Sequence, residues 1–183
     1  MNRIYALLLK LLLVIGFAHA LEATAQVRYW VGGSGHWADA AHWSATAAGV
    51  GGAGVPGEDD AMVVIAEAPL DIDINGRVGC ASLAVDARSA SVRFQGGADA
   101  ELEIAGAWSS HGDVSLEGTW PVRLTVRRKG VELDLRGTSI GGDVILDGSG
   151  SWSVISDLDI HGDLRLRQGT LIANAALVKA DRV

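Results

Sequence analysis

From Met62 onward, hydrophobic and polar residues alternate in short runs. Asp71-Ile72-Asp73-Ile74, Ser82-Leu83-Ala84-Val85, Val92-Arg93-Phe94 and Glu101-Leu102-Glu103-Ile104 each carry period two, the mark of a strand with one buried face. The runs also resemble one another. ELEIAG at 101–106 recurs as DVSLEG at 113–118, ELDLRG at 132–137, DVILDG at 143–148 and DLRLRQG at 163–169, with offsets of eleven or twelve residues nested in a spacing of about thirty. Such a strand is unstable alone, so the recurrence predicts stacked repeats with a shared core. The expected inward residues are Leu102, Ile104, Val114, Leu116, Leu133, Leu135, Val144, Leu146, Leu158, Ile160, Leu164 and Leu166. No window in this half combines helical periodicity with caps. The fold expected is all-β, a right-handed parallel β-helix or β-solenoid whose glycines turn the corners. A hairpin-linked sandwich is the alternative. Its Asn-Gly and Asp-Gly signals occur only at Asn75-Gly76 and Asp147-Gly148, whereas strand–glycine units recur throughout, which favours the solenoid.

The segment before Met62 has another texture. Residues 26–60 are rich in Trp, Gly and Ala, with Trp30, Trp37 and Trp43 closely spaced and a glycine-rich loop over 49–57. They are expected to form an N-terminal cap, and 61–183 the solenoid repeats. The indole rings have two readings. They cover the open end of the core, because terminal repeats need caps, or they form a ligand-binding platform on which glycans stack. Ahead of the cap, Arg3 and Lys10 flank the apolar run Leu11 to Ala18, and small residues follow at 18–20 and 23–25. This predicts a secretory signal peptide over 1–25, cut after Ala25, and an exported protein at the outer cell surface or beyond it. No later stretch is apolar enough for a transmembrane helix.

With 183 residues, 49% of them hydrophobic and 20% charged, the chain has material for one packed domain and is far from the composition of disorder. The net charge is −7. Removing Arg3, Lys10 and Glu22 leaves 13 basic and 21 acidic residues, a mature charge of −8. The densest basic run is Arg127-Arg128-Lys129, so nucleic acid is not an expected partner. The lone Cys80 excludes an internal disulfide and a multi-thiolate metal cluster, and reads as a small buried hydrophobe.

Candidate chemistry is sparse. The acidic pairs Asp59/Asp60, Asp71/Asp73, Glu101/Glu103 and Asp157/Asp159 include i, i+2 carboxylates that share one strand face. That admits a glycosidase or lyase reading, but no His, Tyr or basic constellation surrounds any pair, so no catalytic residue is assigned. Asp59, Asp60, Asp71 and Asp73 are the candidate oxygen ligands for calcium, although the glycine/aspartate nonapeptide of calcium-binding β-rolls is missing. His36 and His42 lack a third ligand at a diagnostic spacing. Ser109-Ser110-His111 near Asp113 has the residue types of a hydrolytic triad without a scaffold to orient them. No phosphate-binding loop or nucleophile elbow occurs, and no cofactor is expected.

The segment Arg28-Tyr29-Trp30-Val31-Gly32-Gly33-Ser34-Gly35-His36-Trp37-Ala38-Asp39-Ala40-Ala41-His42-Trp43-Ser44, with Gly51-Gly52-Ala53-Gly54-Val55-Pro56 and Asp59-Asp60 after it, resembles the opening of large secreted β-solenoid repeat proteins of Bacteroidota-type bacteria, which are surface or adhesin-like. The stretches 148–154 and 158–171 are similar to that family's recurring Trp-strand and strand–glycine pattern. Trp37, Asp39, Trp43, Pro56 and Asp59-Asp60 also resemble the start of the G8 domain, an all-β extracellular module. The resemblance implies a non-catalytic surface spacer or adhesive module whose partners are glycans or cell-surface components. The alternatives are a polysaccharide-active β-helix and a carbohydrate-binding module working through Trp30, Trp37 and Trp43. The alternating pattern at Ala180 to Val183 carries no polar cap, which leads us to expect a piece of a longer protein.

Overall fold

The computed structural model describes residues 25–174 and 176–183. All but one residue of the signal-peptide reading therefore lies outside the described residues. Fifteen strands make a β-solenoid of about five turns, without an α-helix among the described residues. None of its helical segments is long and apolar enough to cross a membrane.

Each turn of the chain visits three faces. The first face carries β1 (Val27–Trp30), β4 (Ala61–Ile65), the first half of β7 (Ser82–Gly96), of β9 (Trp108–Glu117) and of β11 (Val131–Ile140), then the ends of β12 (Val144–Val154) and β14 (Leu164–Ala173). The second face carries β2 (Gly35–His36), β5 (Leu70–Ile74), the later halves of β7, β9 and β11, then β13 (Leu158–Ile160) and β15 (Val178–Lys179). On the third lie β6 (Arg77–Cys80), β8 (Glu101–Ile104), β10 (Val122–Leu124) and the beginnings of β12 and β14. These strands pair in parallel. The exception is β3 (Trp43–Ser44), which runs antiparallel to β1.

Parallel stacking in register turns the alternating pattern into ladders of like residues. Val78, Leu102, Val122, Val144 and Leu164 follow one another up the third face, and Ile72, Phe94, Leu116, Ile140 and Ile160 up the second. Except for the half-buried Val78, the members of both ladders are buried. Burying each aliphatic chain contributes about 1.5–3 kcal/mol, which is why period two along the strand is sufficient to build a core from short elements. Eleven of the twelve expected core residues are buried; Leu166 is 54% exposed. It sits in the last stretch of the third face, where no described strand pairs with β14 on its outer side.

The ladder positions 78, 102, 122, 144 and 164 set the coil at 20 to 24 residues. The thirty-residue spacing seen in the sequence is therefore not the coil. Its members Glu101 and Glu132 lie on the third and the first face. Every face asks for the same solution, an acid, alternating aliphatics and a glycine, so strands from different faces look alike and mask the true period. Glycine at a corner answers a close approach. A side chain at Gly112 (φ +99°) would come within 2.3 Å of the Ala87 carbonyl oxygen, and one at Gly137 (φ +75°) within 2.3 Å of the Gly112 carbonyl oxygen. Successive coils touch backbone to backbone there.

Candidate functional site

The tryptophan segment is folded by local contacts. Asp39 caps a short 3-10 turn, Ala40–His42, its carboxylate accepting the Ala41 amide at 2.9 Å. The turn reverses the chain so that β3 returns beside β1, with Trp30 opposite Trp43. Trp43 meets Trp30 and Trp37 edge to face, with centroids 5.0 and 5.2 Å apart. The indole of Trp43 donates to the Trp37 carbonyl at 2.7 Å, and that of Trp30 to the Gly33 carbonyl at 2.8 Å. His42 stacks on Trp30 at 4.7 Å, its planes only 8° apart, and its Nδ1 lies 2.9 Å from the Val31 carbonyl. Gly35 makes room for that ring, since a Cβ there would lie 2.1 Å from Nε2.

Trp30, Trp37 and Trp43 are exposed by only 6%, 1% and 0%. A sugar cannot stack on rings whose faces are already covered, so the glycan platform expected at these residues is not formed. The rings instead extend the apolar core beneath the first full coil. His36 is apart from His42, on β2, where its Nδ1 lies 3.4 Å from Asp73.

Three of the four candidate calcium ligands have other partners. Asp60 accepts the amides of Gln26 and Gly57, each at 2.9 Å, and closes the cap loop onto β4. Asp71 accepts hydrogen bonds from Nε and Nη2 of Arg93, at 2.7 and 3.1 Å. Asp73 faces His36, and Asp59 is exposed in the turn before β4. Among the described residues no three His, Cys, Asp or Glu side chains converge on a point that could hold a metal ion. The calcium site expected at these residues is not assembled: Asp59 and Asp60 precede β4 while Asp71 and Asp73 lie on β5, and Asp60 and Asp71 are taken up by N–H and guanidinium donors.

Other charged side chains on the outer faces pair from coil to coil. Arg123 bridges Glu101 and Asp147 at 2.9 Å each, and its charge is stabilised chiefly by the hydrogen bond it donates to Glu101. Arg77 pairs with Glu103 and Glu101, and Arg165 with Asp143 and Asp163 at 2.9 and 3.0 Å. Ile145 lies in register between Arg123 and Arg165 and is only 5% exposed although it points outward; the arginine stems cover it. The Glu101/Glu103 pair that suggests hydrolysis in the sequence is thus clamped by arginines, an arrangement that suits cohesion.

Strand alternation separates the would-be triad. Ser110 points inward, fully buried, with its hydroxyl 2.6 Å from that of Thr138. His111 points outward and its Nε2 lies 3.0 Å from Asp134, one coil on. Arg136 donates to Asp134 at 2.8 and 2.6 Å and, with His111, holds its carboxyl well below the usual carboxylate range. On the coil before that of His111, the hydrogen bond from Arg88 lowers Asp86 to about 2. The His111–Asp134 contact joins residues 23 apart; nothing local in the sequence signals it, because it depends on the length of one coil. Cys80 is a buried rung below Ile104, and burial pushes its thiol up to about 12.

Comparisons with protein-family models, with curated proteins and with solved structures each give no match.

Proposed function

We propose that this protein is a non-catalytic, exported surface module, a β-solenoid that acts as a rigid spacer or adhesin-like element and contacts glycans or cell-surface components. The observation that carries this reading is the coil-to-coil pairing of charge: Arg77, Arg123 and Arg165 tie up the carboxylates of the third face. General acid–base hydrolysis needs one carboxyl held protonated near neutral pH beside another left ionised. Arginine partners hold the carboxyls of Asp86, Asp134 and Asp163 below the usual carboxylate range, the opposite of what a proton donor needs. The likeness of the Trp- and Gly-rich opening to secreted Bacteroidota-type repeat proteins and to the G8 domain supports an extracellular surface role.

The test is incubation of the whole chain with a panel of plant, algal and bacterial polysaccharides, with pull-down and product analysis side by side. Retention on a polysaccharide without new reducing or unsaturated ends is the expected result. Appearance of either kind of end would replace this reading with that of a polysaccharide-active β-helix.

A further inference from the structure

A groove of about 450 Å³ opens beside the tryptophan cap, between the cap loop at Ala47–Gly49 and the turn from Ala66 to Pro69. Its volume falls within the range of small-molecule sites, about 300–1,000 Å³. Tyr29, Val63 and Ile65 give it an apolar surface: Tyr29 and Val63 are neighbours in register on β1 and β4, and Ile65 is 53% exposed. Tyr29 is only half-buried, unlike the three tryptophans. Gly32 and Gly33 bring bare backbone to the rim, and a side chain at Gly33 would meet nothing within 4 Å. Glu67 is the one charged residue of the lining. The opposite wall holds Ala48 at φ +54°, the one non-glycine residue with positive φ among the described residues. Such backbone is adopted against steric preference, and here it shapes the groove wall.

We infer that this groove binds a neutral hexose unit of a glycan chain, with Tyr29 as the stacking ring and Glu67 as acceptor for sugar hydroxyls. A pyranose presents a C–H face, which suits an apolar surface built on an aromatic ring, and an edge of hydroxyl donors, which suits a carboxylate. Acidic sugars are disfavoured because Glu67 has no cation beside it in the lining. The inference rests on the glycan-contacting reading above and moves the contact from the buried tryptophans to the neighbouring half-buried ring of Tyr29.

The whole chain is titrated calorimetrically with cellohexaose, mannohexaose, galactohexaose and hexagalacturonate. Binding of at least one neutral hexamer is expected, with hexagalacturonate inert. Tyr29→Ala should weaken that binding about tenfold, and Glu67→Gln should admit hexagalacturonate. Should Tyr29→Ala fail to fold, Ile65→Glu, at a position already facing solvent, blocks the same groove and should abolish binding. If a neutral hexamer binds both Tyr29→Ala and Ile65→Glu as tightly as the parent, the groove is overturned while the surface-glycan reading stands. If none of the four hexamers binds, the groove is overturned, and the polysaccharide panel decides the wider reading separately. Hexagalacturonate binding to the parent chain would overturn the selectivity assigned to Glu67.

Discussion

Asp134 shows how one residue's role follows from its neighbours. It belongs to the outer row of the first face yet is only 7% exposed, because Arg136 and His111 fold over it. The hydrogen bond from Arg136 is the main cause of its lowered pKa. An ordinary carboxyl in the unfolded chain titrates near 3.9, so the folded state binds this proton less readily. Asp134 therefore stabilises the fold fully above about pH 4, and the contribution fades as pH falls through the lowered folded value. Asp134→Asn should cost about 1–2 kcal/mol at pH 7. In denaturant titrations from pH 7 down to pH 2 its deficit relative to the parent should shrink; a constant deficit would remove the ionic explanation. The residue types at 134 and 136 were legible in the sequence, but their partnership with His111 was not, since it depends on coil length.

At the scale of the element, alternation located the strands over 71–74, 82–85, 92–94 and 101–104, and eleven of the twelve side chains it placed inward are buried. Period two is a local property, imposed by the pleat on each strand separately. The length of the coil is hidden from the sequence for the same reason: local patterns repeat on all three faces, whereas stacking partners are chosen by where corners fall. Position in the stack then decides what a leucine is worth. Leu102 is fully buried between Val78 and Val122, whereas Leu166 is half exposed on the last strand of the same face. Leu102→Ala should lower stability by about 2–5 kcal/mol and Leu166→Ala by less than about 1 kcal/mol, measured by urea unfolding of the two variants. Equal losses would mean that the outer side of β14 is covered in solution.

Across the whole molecule, the coils behave as a one-dimensional stack in which each unit supports its neighbours. The tryptophan cap closes the N-terminal end of that stack. Trp43→Ala would remove a fully buried ring and its hydrogen bond to the Trp37 carbonyl, a loss of about 3–5 kcal/mol. Amide exchange should accelerate first in Val27–Trp30 and Ala61–Ile65, while the later coils keep their protection. Uniform acceleration along the chain would contradict nearest-neighbour coupling. The sequence by itself determined the all-β class, the strands and their inward residues, because alternation and glycine spacing act over a few residues. It left open whether the indole rings were cap or platform, and which carboxylates were free. Tertiary structure alone decided those points. The indole rings are covered only once the cap folds beneath the first full coil, and charge pairs such as Arg123 with Glu101 and Asp147 join residues 20 or more positions apart, brought together only when one coil closes onto the next.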